Sequence, residues 1–263
     1  MKLFDSHCHL DDGVYDPDFE LVLERARKAG VCAMMIAGIN LKTSQKAVIL
    51  SEAHKGLFAA VGFHPHDASQ AGESGMEALE DLAGHPKVLA WGEIGLDFNR
   101  MHSPKNIQEK WLIRQLAAAD CLDLPVIFHE RESCGRLLDI LTQCHRHSGN
   151  GVIHCFSGTR SELTQYLDLG YYIGITGILT IQSRGADLRK LATAIPQDRI
   201  LIETDAPYLT PAPEKNHTRR NEPAFVRSVL LRLAEVRKED PDELAASLWD
   251  NTCRLFRVPL DMK

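Results

Sequence analysis

Two histidines flank a cysteine in the segment KLFDSHCHL: His7 and His9 sit two residues apart at the end of the first apolar run. In an extended strand, side chains at i and i+2 share a face, so both imidazoles would project to one side, about 6–7 Å apart at the Cα level. That spacing suits a divalent metal. Similar placements recur along the chain. His64 and His66 follow LFAAVGF, Glu93 closes VLAWG, His129 follows PVIF, His154 lies in GVIHCF, and Glu203 and Asp205 end RILIETD. Imidazole and carboxylate are costly at such positions, since burying a polar group without a partner costs roughly 2–7 kcal/mol. A single buried histidine is more often a satisfied core residue than a ligand. His7, His9, Glu93, His129, His154 and Asp205 together are too many for one four-coordinate structural zinc, and they suggest two metals sharing a carboxylate.

The elements that would carry these residues follow from the apolar pattern. Eight short β-branched or apolar runs recur: LFDSH, VCAMMIAGI, LFAAVGFH, VLAWGEIG, PVIFHE, GVIHCFSG, YYIGITG and RILIETD. Between them, apolar residues return at three and four, as at Ile107, Trp111, Leu112, Leu116 and Ala119, which is the helical period. Near-continuous apolar strands alternating with amphipathic helices predict a parallel sheet covered by helices, and eight such units predict a closed (β/α)8 TIM-type barrel. A doubly wound open sheet is the competing arrangement. In a barrel, every singled-out residue falls toward the C-terminal end of its strand, the face where barrel enzymes build their sites.

At 263 residues the length fits one such barrel, and a single domain over 1–263 is expected, with no low-complexity linker to divide it. A net charge of −6 excludes a general polyanion-coating surface, so recognition of nucleic acid would have to be local. Seven cysteines form an odd set without a C-x-x-C pair, and no signal peptide or long apolar run is present, which predicts free thiols in a reducing cytoplasm and no membrane association. Strand alternation would turn Cys8 and Cys155 away from the ligand face, as packing residues.

Other candidates carry two readings each. His64 and His66, in GFHPH, could contact a substrate phosphate or form a loop stiffened by Pro65. In GEIGLDFNR, Gly92 and Gly95 allow close backbone approach, and Asp97 and Arg100 could support the site, contact substrate or simply form a turn. Glu203, two residues before Asp205, could brace a ligand histidine. The longest irregular stretch, APYLTPAPEKNHTRRNEP over 206–223, reads as a functional loop and also as a helix start, with Asn221 as N-cap and Pro223 in the first turn. Within it Arg219 and Arg220 could pair with phosphate oxygens, although exposed arginine pairs are commonly solvated.

The ordered set DSHCHLD, VGFHPHDA, GEIGLDFNR, PVIFHERE, VIHCFSGT, YYIGITG, LIETDAPYLTP and RRNEP resembles the TatD family of metal-dependent deoxyribonucleases in the amidohydrolase superfamily, from Asp5 to about Phe256. GFHPHDAS, GLDFNR and RRNEP look closest to the TatD branch itself. The resemblance implies a binuclear site, with His7, His9 and Asp205 on one divalent ion (Mg, Mn or Zn), His129 and His154 on the other, and Glu93 bridging. Some members of that branch lack the first H-x-H, whereas this chain retains it, which implies a full two-metal site. The implied activity is phosphodiester hydrolysis, as a 3′ to 5′ exonuclease on single-stranded DNA or RNA ends, with Asp205 both ligating and accepting the water proton and with no obligate protein partner. Two other classes compete: a metal-dependent amide or ester hydrolase such as a D-aminoacyl-tRNA deacylase, and a non-catalytic scaffold that keeps only the barrel.

Overall fold

The computed structural model describes residues 1–259 and shows the expected alternation. The strands are β1 (Leu3–Cys8), β2 (Val31–Ala37), β3 (Leu57–Val61), β4 (Val88–Asp97), β5 (Val126–Arg131), β6 (Gly151–His154), β7 (Tyr172–Ile175) and β8 (Ile200–Ile202). They form one parallel sheet in sequence order, β1 to β8. The helices are α1 (Phe19–Lys28), α2 (Leu41–Ala53), α3 (Glu73–Ala83), α4 (Lys105–Leu122), α5 (Arg136–Cys144), α6 (Arg160–Asp168), α7 (Ala186–Ala192), α8 (Val226–Arg237) and α9 (Pro241–Leu255). The fold is a (β/α)8 barrel, not an open sheet. β1 meets β8 through a parallel bridge between Cys8 and Ala206, with Asp205 N–H donating to His7 O at 2.9 Å and His9 N–H to Ala206 O at 2.7 Å.

Alternation along each strand separates two apolar clusters. Leu57, Ala59 and Val61 of β3 join the outer core under the helices, while Phe58 and Ala60 join an inner cluster with Phe4, Met35, Ile127, Val152 and Leu201. Trp249, Phe256 and Val258, in and just after α9, pack into this inner cluster, with the Phe4 ring centroid 5.8 Å from Trp249 and 5.9 Å from Phe58. Because Phe4 and Phe58 lie early in their strands, α9 plugs the N-terminal end of the barrel and leaves the opposite mouth open.

Continuing the inner face two residues at a time leads from grease to chemistry. Ile127 is followed by His129, Val152 by His154, Leu201 by Glu203 and then Asp205, and Ala60 by Gly62 and then His64. In β1 and β4 this simple count fails. Register shifts between Asp5 and Cys8 and between Trp91 and Ile94 re-aim the strands, and these irregularities bring His7 and Glu93 inward.

All seven cysteines are free thiols. No helix among the described residues is long and apolar enough to cross a membrane.

Candidate metal centre

The hydrogen bonds that close the barrel also assemble the first group of side chains. His7 Nε2 and His9 Nε2 approach to 3.2 Å, and Asp205 Oδ1 lies 3.4 Å from His9 Nε2 and 3.8 Å from His7 Nε2. His9 Nδ1 donates to Ala37 O at 3.0 Å, which fixes the proton on that nitrogen and leaves Nε2 toward the group. Asp205 holds a left-handed backbone (φ 56°), a conformation that aspartate tolerates better than most residues.

Glu93, almost wholly buried, joins two sets of imidazoles through its two oxygens. Oε2 lies 3.3 Å from His7 Nε2 and 3.8 Å from His9 Nε2, whereas Oε1 lies 2.7 Å from His129 Nδ1 and 3.3 Å from His64 Nε2. One carboxylate therefore spans both halves of the site. Gly95 makes room for this arrangement: at φ 148° it passes so close to β5 that an added Cβ would lie 1.9 Å from His129 O.

Each remaining imidazole is braced from outside. Asp97 Oδ2 lies 3.3 Å from His129 Nε2 and 2.7 Å from His66 Nε2, while Asp97 Oδ1 accepts from the backbone of Asn99 and Arg100. Glu203 Oε1 lies 2.8 Å from His154 Nδ1 and accepts from Cys155 N–H at 2.6 Å. Carboxylates behind imidazoles in this way orient the ring and raise the basicity of its inner nitrogen.

The charges follow from these contacts. Burial works against the charge of Glu93, yet His64, His7 and the hydrogen bond from His129 outweigh it and hold the carboxyl well below its ordinary value. Asp205 is likewise lowered, with burial overcome by His9 and His154. Burial alone would discharge His9, His129 and His154. Asp205 instead raises His9 to about 9, Asp97 and Glu93 raise His129 to about 9, and Glu203 raises His154 to about 9. His7 is lowered by burial and by neighbouring His154, and burial takes His64 down to about 4.

His64 differs from the others in its tautomer. The backbone N–H of His66 donates to His64 Nδ1 at 3.0 Å, so the neutral ring carries its proton on Nε2, facing Glu93 and the mouth. Although His64, His66 and His129 lie close enough to share an ion, His64 presents an N–H donor there and no lone pair. The inward nitrogens of His7, His9, His129 and His154 and the oxygens of Glu93 and Asp205 are a donor set that fits divalent metal. His7 Nδ1 is buried without a hydrogen-bond partner among the described residues, so the ring's polar contacts all run through Nε2, toward His9, Glu93 and Asp205.

The profile of the family described as TatD related DNase matches residues 4–257. The chain belongs to the TatD family. It is 41% identical over 261 residues to the 3′-5′ ssDNA/RNA exonuclease TatD of Klebsiella pneumoniae (strain 342), covering 98% of this chain and 99% of the relative. The namesake enzyme of Citrobacter rodentium (strain ICC168) is also 41% identical, with 98% and 99% covered. In structure the chain is similar to YJJV, a TatD homolog from Escherichia coli K12, with TM-score 0.90, 33% identity and 98% of each chain covered. A TatD family hydrolase from Entamoeba histolytica follows at TM-score 0.85 and 25% identity, covering 97% of this chain and 98% of that one. Membership makes this a metal-dependent deoxyribonuclease, a hydrolase whose His, Asp and Glu groups are able to hold metal ions.

Several residues depart from expectation. His154 was paired with His129, and the two are register partners on β5 and β6, but Glu203 draws the His154 ring toward β8. Its Nε2 lies 3.7 Å from Asp205 Oδ1, and its ring stacks on His7. Arg219 lines the mouth, a cavity of about 2230 Å³ in this TatD chain, whereas Arg220 does not. Its guanidinium is committed to Asp18 at 2.7 and 2.8 Å and to Glu222 at 2.9 Å, beside Arg25, so it staples the loop to α1. Asn221 caps no helix with its side chain. Fully buried, it donates to Thr204 O and Tyr208 O and ties the loop to the end of β8. Cys8 packs as expected, but Cys155 lines the mouth, because β6 ends at His154 and a left-handed backbone at Cys155 (φ 48°) breaks the alternation. Arg100 also lines the mouth. Among the mouth residues that sequence reasoning passed over is Tyr208, whose only signal was an aromatic ring directly after Pro207 and three residues from Asp205.

Proposed function

We propose that this TatD chain removes nucleotides from the 3′ ends of single-stranded DNA or RNA by hydrolysing phosphodiester bonds at a binuclear centre. The observation that carries the reading is Glu93, whose two oxygens face two separate sets of imidazoles. One ion would be held by His7, His9 and Asp205, the other by His129 and its register partner His154, whose ring would turn from Asp205 toward His129, and Glu93 would be shared. Mg, Mn and Zn all suit this donor set, with the imidazoles favouring Mn and Zn. When bound, such a pair supplies Lewis-acid polarisation of the phosphoryl group, charge neutralisation and a lowered pKa for water.

The chain's own groups complete the chemistry. Asp205, ionised and at the inner edge of the group, accepts the proton of the attacking water. The His64 Nε2–H donor and the Arg219 guanidinium bind phosphate oxygens, and the neutral state of His64 avoids placing another cation beside His129. A bowl at one end of a barrel, on a chain of net charge −6, suits gripping a strand end better than tracking along a duplex. Seven free thiols suit the reducing cytoplasm.

The test is cleavage of 5′-labelled oligonucleotides, with and without chelator, alongside elemental analysis of the purified protein. A ladder shortening from the 3′ end, abolished by chelator, is the expected result. Turnover of an aminoacyl ester with no metal-dependent cleavage of any oligonucleotide would overturn the reading.

A further inference from the structure

Among nine Phe, five Tyr and three Trp, Tyr208 is the one exposed aromatic side chain, at 55%. Isolated surface aromatics are ordinary, so its location is what matters. The ring stands at the mouth, with its centroid 5.9 Å from that of His9 and the planes at 67°, and its backbone N–H donates to Asp205 O at 2.8 Å. Its hydroxyl makes no hydrogen bond among the described residues.

The segment that presents this ring is held rigidly. Asn221 Nδ2 donates to Tyr208 O at 2.6 Å, Asn221 N–H donates to Pro207 O at 3.0 Å, and Tyr15 OH donates to Asn221 O at 2.6 Å. Thr210 Oγ1 donates to Arg219 O at 2.8 Å, so the loop that carries the ring also carries the arginine at the rim. Asp11, Asp12 and Asp205 line the same mouth as the tyrosine, together with the apolar Pro207, Leu209 and Ile178. Three acids disfavour phosphate at this spot. A neutral, flat, apolar group is what the surroundings accept.

We propose that Tyr208 is a stacking platform for the base of the 3′-terminal nucleotide, seating that base beside His9 while its phosphodiester lies over Glu93. This rests on the phosphodiesterase reading above and specifies how that site selects its substrate. Stacking needs an unpaired base, which makes the platform a filter for single strands, and it reads a π-face common to all four bases, which makes it indifferent to sequence. Arg219, on the same loop, takes the adjoining phosphate.

The experiment uses metal-loaded protein and oligonucleotides ending in 3′-terminal 2-aminopurine, with a phosphorothioate at the last linkage to slow cleavage. A matched series carries a 3′-terminal abasic residue. Wild type should quench the 2-aminopurine fluorescence, and Tyr208→Ala should lose the quench and bind about 5- to 100-fold more weakly. Tyr208→Phe should retain both. On the abasic series, Tyr208→Ala and wild type should bind equally, because the stacking partner is already gone. On unmodified strands the loss should fall on KM more than on kcat. If Tyr208→Ala quenches and binds like wild type, or if it weakens the abasic series by the same factor, the platform is wrong while the nuclease reading stands. If wild type neither binds nor cleaves any oligonucleotide, the nuclease reading fails and takes the platform with it.

Discussion

His7 lies flat against His154, with ring centroids 3.5 Å apart and planes 18° from parallel, although the two come from β1 and β6. Two charged imidazoles cannot share that contact cheaply in a buried site. Their surroundings resolve the conflict: burial and the charge of His154 lower His7, while Glu203 behind His154 overcomes burial and raises it to about 9. The pair therefore carries one positive charge, on His154, and metal binding at the proposed site would have to displace that proton.

That displacement can be measured. His9, His129 and His154 all lie at about 9 and are protonated at pH 7, whereas ligation needs the neutral ring. Metal affinity should accordingly strengthen as pH rises from 6 toward about 9, and loading at pH 7 should release more than one proton. Calorimetric titration of chelator-treated protein in buffers of different ionisation enthalpy reads both quantities. A heat independent of buffer, with affinity flat across this range, would contradict the assignment.

Removing a ligand and removing a donor should have different consequences. Glu93→Ala and His129→Ala should lose bound metal and at least about 100-fold in activity, with far-UV circular dichroism unchanged, because these side chains stand at the mouth and not in the packed layers. His64→Ala should keep its metal, since the tautomer of His64 presents N–H and no lone pair, and should lose roughly 100-fold in kcat. Metal content measured beside activity separates the two classes, and full metal loss in His64→Ala would show that His64 is a ligand.

Asp97 holds the imidazoles of His66 and His129 from behind, at 2.7 and 3.3 Å. Asp97→Asn keeps the shape and the hydrogen bonds from Asn99 and Arg100 but no longer holds the imidazoles by charge. Metal affinity should fall about 10- to 100-fold, the usual cost of losing a carboxylate behind a ligand histidine. Excess metal should restore activity, and a variant with wild-type affinity would remove Asp97 from this role.

Arg219 and Arg220 are neighbours in sequence with opposite assignments. Arg219→Ala should leave the melting temperature unchanged, raise KM, and flatten the dependence of log KM on log salt by roughly 0.7, as expected for one lost phosphate contact on a single strand. Arg220→Ala leaves Glu222, which is 7% exposed, with Arg25 alone, and should cost about 1–2 kcal/mol of stability. Thermal melts and salt-dependent kinetics on both variants check the pair, and an exchange of the two phenotypes would reverse the roles.

What could be read ahead of the structure, and what could not, follows from the range of the forces involved. The barrel was legible because its signal is local. Each strand advertises itself by apolar residues, and the inner face can be followed from Ile127 to His129 or from Leu201 to Asp205 by counting in twos. The strand-end residues were legible for the same reason. The fate of Arg220 was not, because its partner Asp18 lies 202 residues away and only the closed barrel makes them neighbours. The lean of His154 toward β8 depends on Glu203, and the inward turn of Glu93 depends on a register shift that no period reveals. Asn221 looks like a helix cap by type, but its amide nitrogen donates to the distant carbonyls of Thr204 and Tyr208, and its Oδ1 accepts from the adjacent Glu222 N–H and not from a first-turn amide.

Gly95 offers the sharpest test of how backbone geometry sets the centre. It lies between Glu93 and Asp97 on β4, beside His129 on β5, and a methyl group there would sit 1.9 Å from His129 O and 2.9 Å from His129 N. These are backbone atoms of a central strand, so no side-chain rotation relieves the clash, and at φ 148° an L-residue is strained in any case. β4 and β5 must then part where they position Glu93, His129 and Asp97 together. Gly95→Ala should lower stability by several kcal/mol and lose metal even when enough folded protein is recovered for elemental analysis. Gly13→Ala is the control. Also at the mouth, it has ordinary φ, and its added Cβ meets nothing nearer than Asp16 Oδ2 at 3.5 Å, so its melting temperature and metal content should match wild type. A Gly95→Ala protein that melts and binds metal like Gly13→Ala would show that β4 and β5 do not need this close approach to hold the site.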